Sequence, residues 1–126
     1  MASPTPIRIL LVDDEEHIRK TVCRFLRMEG YEVRVAGNGE EALHELTQCD
    51  FHVVVLDLRM PGINGFEVLH RIKSVHPRTK VIMLTGVADA EPVRAEALAK
   101  GASSLLIKPC KLETLLTTIT AALEAS

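Results

Sequence analysis

The stretch Val53-Val54-Val55-Leu56-Asp57 constrains the fold more than any other. Four apolar residues, three of them β-branched, run without a break into a single carboxylate. A continuous apolar run of this length reads as a strand covered on both faces, as in a parallel sheet flanked by helices. The residues that follow, Leu58-Arg59-Met60-Pro61-Gly62-Ile63-Asn64-Gly65, form a loop rich in Pro, Gly and Asn. Asp57 therefore stands at the carboxyl end of a buried strand, the edge where open α/β sheets bind ligands. An Asp in such a place also serves as a turn residue or helix cap, so the rest of the chain has to decide between the two readings.

Taken in order, the chain alternates strands and helices. Ile7–Val12 is the first strand, and it ends in Asp13-Asp14-Glu15-Glu16. Ile18, Val22, Phe25, Leu26 and Glu29 have the spacing of one helical face, with Gly30 placed to stop the helix. Tyr31–Ala36 alternates apolar and polar residues, as a half-exposed edge strand does. Asn38 with Glu41 has the form of a capping box opening a short helix with Ala42, Leu43 and Leu46. After the Asp57 strand, Asn64 with Glu67 repeats the pattern and opens a helix carrying Phe66, Leu69 and Ile72, stopped before Pro77. Lys80–Thr85 is the fourth strand. A Gly86-Val87-Ala88-Asp89 loop leads to a helix with Pro92 in its first turn, a weak apolar face of Ala90, Val93, Ala97 and Leu98, and Gly101 beyond its end. Ser104–Lys108 is a short fifth strand. After Pro109, a helix presents Leu112, Leu115, Leu116, Ile119 and Leu123.

This is a βα unit repeated five times. Such alternation predicts an α/β fold with a parallel sheet, right-handed crossovers and helices on both faces. An edge-like second strand beside apolar first, third and fourth strands suits the flavodoxin-like (βα)5 three-layer sandwich, with strand order 2-1-3-4-5. At 126 residues the chain is one domain with a real core. We expect residues 1–6 to be a short disordered arm and residues 7–124 the domain. A net charge of −2 gives no general attraction to nucleic acid. No apolar run approaches the roughly 20 residues that span a bilayer. The three cysteines, Cys23, Cys49 and Cys110, lack metal-ligand spacing and read as reduced thiols of a cytoplasmic protein.

A parallel sheet gathers its strand ends along one edge. The first strand ends in Asp13 and Asp14, the third in Asp57, the fourth in Thr85 and the fifth in Lys108. In the expected order these strands are neighbours, so carboxylates, a hydroxyl and an ammonium converge on one crevice. Two like charges about 4 Å apart cost roughly 4 kcal/mol at an effective dielectric of 20. Lys108 offsets one carboxylate, so either a proton is retained or a cation fills the gap. Hard oxygen ligands on a partly open site suit Mg²⁺. Such a site handles phosphate: the cation cancels charge, an ionised Asp attacks phosphorus, and a Lys and a hydroxyl bind the outer oxygens.

At these residues the chain resembles the receiver domain of two-component response regulators, from about Ile7 to Leu123. The resemblance rests on Val12-Asp13-Asp14, Leu56-Asp57, Met60-Pro61-Gly62, Asn64-Gly65, Leu84-Thr85, Gly101-Ala102 and Lys108-Pro109. It implies that Asp57 is the phosphoacceptor for a histidine kinase or phosphotransfer protein. It also implies that Asp14 binds Mg²⁺ directly and Asp13 mostly through water. The Arg59 backbone carbonyl would be a further ligand, Asp57 itself completing the metal site. Lys108 would pair with Asp57 and then with the phosphate, Thr85 would bond a phosphoryl oxygen, and Lys108-Pro109 would be a cis bond. Output would pass to a downstream protein or effector domain through the Ala90–Glu124 surface, with no nucleic acid or membrane bound by the domain itself. Such a domain is not an enzyme beyond its own phosphorylation and slow dephosphorylation.

Leu105 occupies the position where this family usually has an aromatic residue that swings inward on activation. We therefore expect Thr85, its following loop and the Ala90–Lys100 helix to carry the response. Cys110 reads mainly as a loop residue, with a redox role through a pKa lowered by the helix start, Lys108 and Lys111 as the minor alternative. Glu15 and Glu16 read as helix N-terminal charges, and His17, His44, His52, His70 and His76 are scattered singly. Three competing readings each meet a mismatch in this sequence. An Asp-nucleophile phosphatase of the haloacid dehalogenase type needs a second Asp where this chain has Arg59. A flavodoxin needs a phosphate loop where this chain has Asp13-Asp14-Glu15-Glu16. A pseudo-receiver that signals without phosphorylation usually lacks a site residue, and none is missing here.

Overall fold

A computed structural model describes residues 6–60, 62–86 and 90–125 of the chain. The expected arm over residues 1–6 lies outside these but for Pro6, as do Pro61 and the Val87-Ala88-Asp89 part of the fourth loop. The elements are β1 (Arg8–Val12), α1 (Glu16–Met28), β2 (Glu32–Ala36), α2 (Gly39–Gln48), β3 (Val53–Asp57), α3 (Gly65–Val75), β4 (Lys80–Gly86), α4 (Ala90–Ala99), β5 (Ser104–Lys108) and α5 (Leu112–Glu124). The five strands are all parallel and lie in the order β2-β1-β3-β4-β5. The order expected from the apolar pattern is the one observed.

Side chains alternate across each strand, and the alternation divides the core in two. Leu10, Val12, Val54, Leu56, Val81, Met83 and Leu105 pack with α2, α3 and Ala97 of α4. Ile9, Leu11, Val53, Val55, Ile82 and Leu84 pack with α1 and α5. Every residue of β3 is buried, which is why its sequence carries no polar alternation before Asp57. β2 is the edge strand: Val33 is buried, whereas Val35 on the same face is 40% exposed. The Arg27 guanidinium donates to the Val33 carbonyl at 2.8 Å, covering one outward group of that edge.

Two helices turn slightly from the expected face. In α1 the buried residues are Cys23 and Leu26, while Ile18 is 36% exposed and Val22 and Phe25 are half-buried. Cys23 here packs as a small apolar side chain, a role its thiol conceals in a count of hydrophobic positions. In α3, Val68 joins Leu69 and Ile72 in the core, and Phe66 is half-buried. Asn38 and Asn64 cap α2 and α3, accepting from the Glu41 and Glu67 N–H groups at 2.8 and 3.0 Å. The Glu41 side chain returns the bond to the Gly37 N–H, one residue earlier than a capping box requires.

Candidate functional site

The carboxyl edge is built by short exits from β1, β3, β4 and β5. Asp13 follows β1 and is buried, its N–H donating to the Ala36 carbonyl. Its Oδ1 accepts from the Glu15 N–H at 2.9 Å and its carbonyl accepts from the Arg19 guanidinium at 2.7 Å. Both bonds fix the turn into α1. Asp14 beside it is exposed, which leaves one side of the cluster open to water.

Asp57 is 4% exposed, and both of its oxygens are held. Oδ1 accepts from the Arg59 N–H at 3.2 Å, and Oδ2 accepts from Lys108 Nζ at 2.9 Å. The loop beyond it is anchored twice. Leu58 N–H donates to the Leu84 carbonyl, and the Leu58 carbonyl accepts from the Gly65 N–H. Gly65 packs so closely that a Cβ would lie 2.7 Å from Leu58 Cα and 2.9 Å from its carbonyl oxygen. The Asn64-Gly65 pair thus serves two ends: Asn64 caps α3, and Gly65 lets the start of α3 press on the exit of β3. Gly62, at φ +81°, makes the turn between them.

Lys108 Nζ also lies 3.7 Å from Asp13 Oδ2 and 3.8 Å from Glu15 Oε1, so one ammonium faces three carboxylates. The expectation for Glu15 was a helix charge only. It does occupy the N-cap position of α1, but it also looks into the site. Burial raises the Asp57 pKa above its ordinary value and outweighs the lowering by Lys108 and the Arg59 N–H; Asp13 adds to the rise. For Lys108, burial is opposed by the hydrogen bond to Asp57 and the charges of Asp57, Asp13 and Glu15, and the net change is upward. The two directions agree physically: the pair is attractive, yet Asp57 has lost more hydration than the pair returns. The Lys108-Pro109 bond is cis, as the resemblance implies.

Two buried polar atoms at this edge have no hydrogen-bond partner among the described residues, Asp13 Oδ2 and Thr85 Oγ. A buried polar atom left unpaired costs roughly 1–3 kcal/mol, so native structures seldom keep one without a use. Carboxylate oxygens of Asp13, Asp14 and Asp57 lie within 4.8 Å of one another. An all-oxygen set, with one buried oxygen that accepts no hydrogen bond among the described residues and one side open to solvent, is compatible with Mg²⁺. Cys110 is a loop residue, as expected, and the minor alternative of a lowered pKa fails. It precedes the α5 N-cap, Lys111, and is half-buried, so burial lifts its thiol pKa more than Lys108 lowers it.

The family model for the response regulator receiver domain matches residues 9–120. The chain belongs to that family. This receiver is 39% identical over 108 residues to the regulatory protein AtoC of Escherichia coli, covering 86% of this chain and 23% of that protein. It is 39% identical over 115 residues to the uncharacterized transcriptional regulatory protein YkoG of Bacillus subtilis, covering 91% of this chain and 50% of that protein. The receiver thus spans half or less of the length of these relatives. Among solved structures, a CheY-like receiver domain from Methanospirillum hungatei superposes with a TM-score of 0.90 at 32% identity, covering 95% of each chain. The chemotaxis regulator CheY4 of Vibrio cholerae gives 0.84 at 36% identity, over 94% of this chain and 99% of that one. The protein is therefore a receiver domain of two-component phosphorelay signalling. Among the described residues, no helix is long and apolar enough to cross a membrane.

Proposed function

We propose that Asp57 is the phosphoacceptor of this receiver, taking a phosphoryl group from the phosphohistidine of a kinase or phosphotransfer protein. The observation that carries this is the arrangement around one carboxylate. Asp57 is bonded to Lys108 at 2.9 Å and flanked by two buried oxygens, Asp13 Oδ2 and Thr85 Oγ, that make no hydrogen bond among the described residues. An Asp57 oxygen attacks phosphorus as the N–P bond of the donor breaks, and the electron pair leaves with the imidazole. Lys108 moves from the carboxylate to a phosphoryl oxygen, and the Thr85 hydroxyl donates to another. Asp13, Asp14, Asp57 and the Arg59 carbonyl would hold Mg²⁺, which would supply positive charge against the carboxylates and the incoming phosphoryl group. The domain turns over no separate substrate. Residues 7–124 act as the unit.

Output passes through α4, β5 and α5, Ala90–Glu124, to a protein partner or effector domain. Thr85 and Leu105 sit on the α4 side of the sheet by strand alternation. The Leu105 carbonyl accepts from Arg94 of α4 at 3.2 Å. With Leu105 buried and no aromatic there to rotate, α4 itself is the responsive element. Unchanged amide exchange in α4 on phosphorylation would sink that part of the reading.

The main test is intact mass after incubation with acetyl phosphate and Mg²⁺. One added phosphoryl group, absent in Asp57→Asn and without metal, is the expected result. No gain by the folded protein under any condition would leave a pseudo-receiver that signals by binding alone.

A further inference from the structure

A groove of about 560 Å³ runs between α1 and the free edge of the sheet, on the far side of α1 from Lys108. Arg19, Lys20, Arg24 and Arg27 line it together with Met28 and Val35, and none of its lining residues is acidic. Its apolar side chains are open to solvent: Met28 is 77% exposed and Val35 40%. In a chain of net charge −2 this is a marked local excess of positive charge. Apart from the Arg19 bond that steadies the Asp13 turn, the phosphorylation reading above uses none of the six.

We infer that this groove docks an acidic segment of another protein, one that carries an apolar side chain to set between Met28 and Val35. The cations are arranged for it. Arg19 and Arg27 are not loose on the surface: their guanidinium groups donate to the backbone carbonyls of Asp13 and Val33 at 2.7 and 2.8 Å. A guanidinium already oriented in this way loses little freedom on accepting a carboxylate, and its planar fork matches carboxylate geometry. Arg24 has no hydrogen bond or ion pair among the described residues, so its charge is open to a partner. Lys20 is held only by Glu16, at 3.1 Å with both side chains highly exposed, a pair that an incoming acid displaces at small cost.

A nucleic acid or an anionic bilayer is also negative, but the groove suits neither. Both are extended polyanions that feel the charge of the whole chain, which is negative. A bilayer is flat where this site is concave, and a phosphate backbone brings nothing to Met28 and Val35. A short acidic peptide feels mainly the groove.

The test is fluorescence anisotropy of the full chain with a labelled ten-residue peptide alternating Glu and Leu. Parallel arms use a Glu–Ser peptide of the same length, phosphatidylserine vesicles and a short DNA duplex, and amide shifts map the contact. The inference expects binding of the Glu–Leu peptide at low salt, weaker binding of the Glu–Ser peptide, and shifts at Arg24, Met28 and Val35. Arg24→Glu should weaken the Glu–Leu complex by at least about fivefold, and Met28→Ser should weaken it too. Both residues are exposed, so both variants should fold, as far-UV circular dichroism will check. No peptide binding, binding indifferent to Arg24→Glu, or shifts confined to another face would overturn the inference. Tighter binding of vesicles or duplex through the same residues would overturn it in favour of an anionic surface.

Discussion

At the amino end of the sheet the Thr79 hydroxyl is buried and donates to the Phe51 carbonyl at 2.8 Å. At the carboxyl end the Thr85 hydroxyl, just as buried, has no partner among the described residues. The contrast extends beyond two threonines. At the amino end Lys73 Nζ bridges the Pro77 and Thr79 carbonyls at 3.0 and 2.8 Å, and His52 Nδ1 accepts the Arg8 N–H. At the carboxyl end, acids converge around one lysine, and Asp13 Oδ2 faces it at 3.7 Å without a hydrogen bond among the described residues. One end spends its polar groups on holding strands together. The other keeps bonding capacity in reserve for something that arrives.

Substitutions can break this contrast in a graded way. The largest expected effect is from Gly65→Ala, which drives a methyl into the Leu58 backbone beneath the site. Overpacking against backbone should cost about 3 kcal/mol in urea unfolding and slow phosphoryl uptake as the Asp57 loop shifts. Thr79→Val should cost about 1–2 kcal/mol by stranding the buried Phe51 carbonyl, yet leave the uptake rate unchanged. A loss of uptake there would show that the two ends are not separable.

Next comes the charge itself. Because the folded-state pKa of Asp57 is raised, its protonated form favours folding. That stability is fully present below the ordinary Asp value of 3.8 and is lost as pH rises through the raised value. Asp57→Asn should therefore be more stable than the parent at pH 7, with the gap closing toward about pH 4. Mg²⁺ should stabilise the parent at pH 7 by about 1.4 kcal/mol at ten times its Kd, and should do much less for Asp13→Asn. The smallest effect sharpens the comparison most. Thr85→Val removes a hydroxyl that has no hydrogen bond among the described residues, so stability should hold or rise by less than about 1 kcal/mol while phosphoryl uptake slows. If it destabilises as Thr79→Val does, the Thr85 hydroxyl is structural.

Much of this was legible before any coordinates, for physical reasons that differ by element. Buried parallel strands need unbroken apolar runs, and Val53–Leu56 and Val81–Leu84 provide them, so strand order and the converging strand ends followed. The α1 face was read less well, because Cys23 does the packing that Ile18 was expected to do. Glu15 was assigned to the helix because its distance from Lys108 depends on the turn that Asp13 fixes. The lysines beside Cys110 are visible in the sequence, whereas the burial that decides its pKa is not. The basic groove could not be read at all, since it exists only through the way α1 lies over the sheet edge.

Strand parity has one more consequence. On β4 and β5, Val81, Met83 and Leu105 pack toward α3 and α4, and Ile82, Leu84 and Leu106 toward α1 and α5. Continuing each alternation places Thr85 with the first set and Lys108 with the second. The two groups that would grip a phosphoryl oxygen thus belong to opposite halves of the molecule, joined elsewhere by the sheet between them. A phosphoryl group held by both would be a rivet through the rim, tying two separately packed hydrophobic layers. Lengthening a loop would leave that rivet in place. Inserting a single residue within β4 or β5 would turn one of its ends to the wrong side.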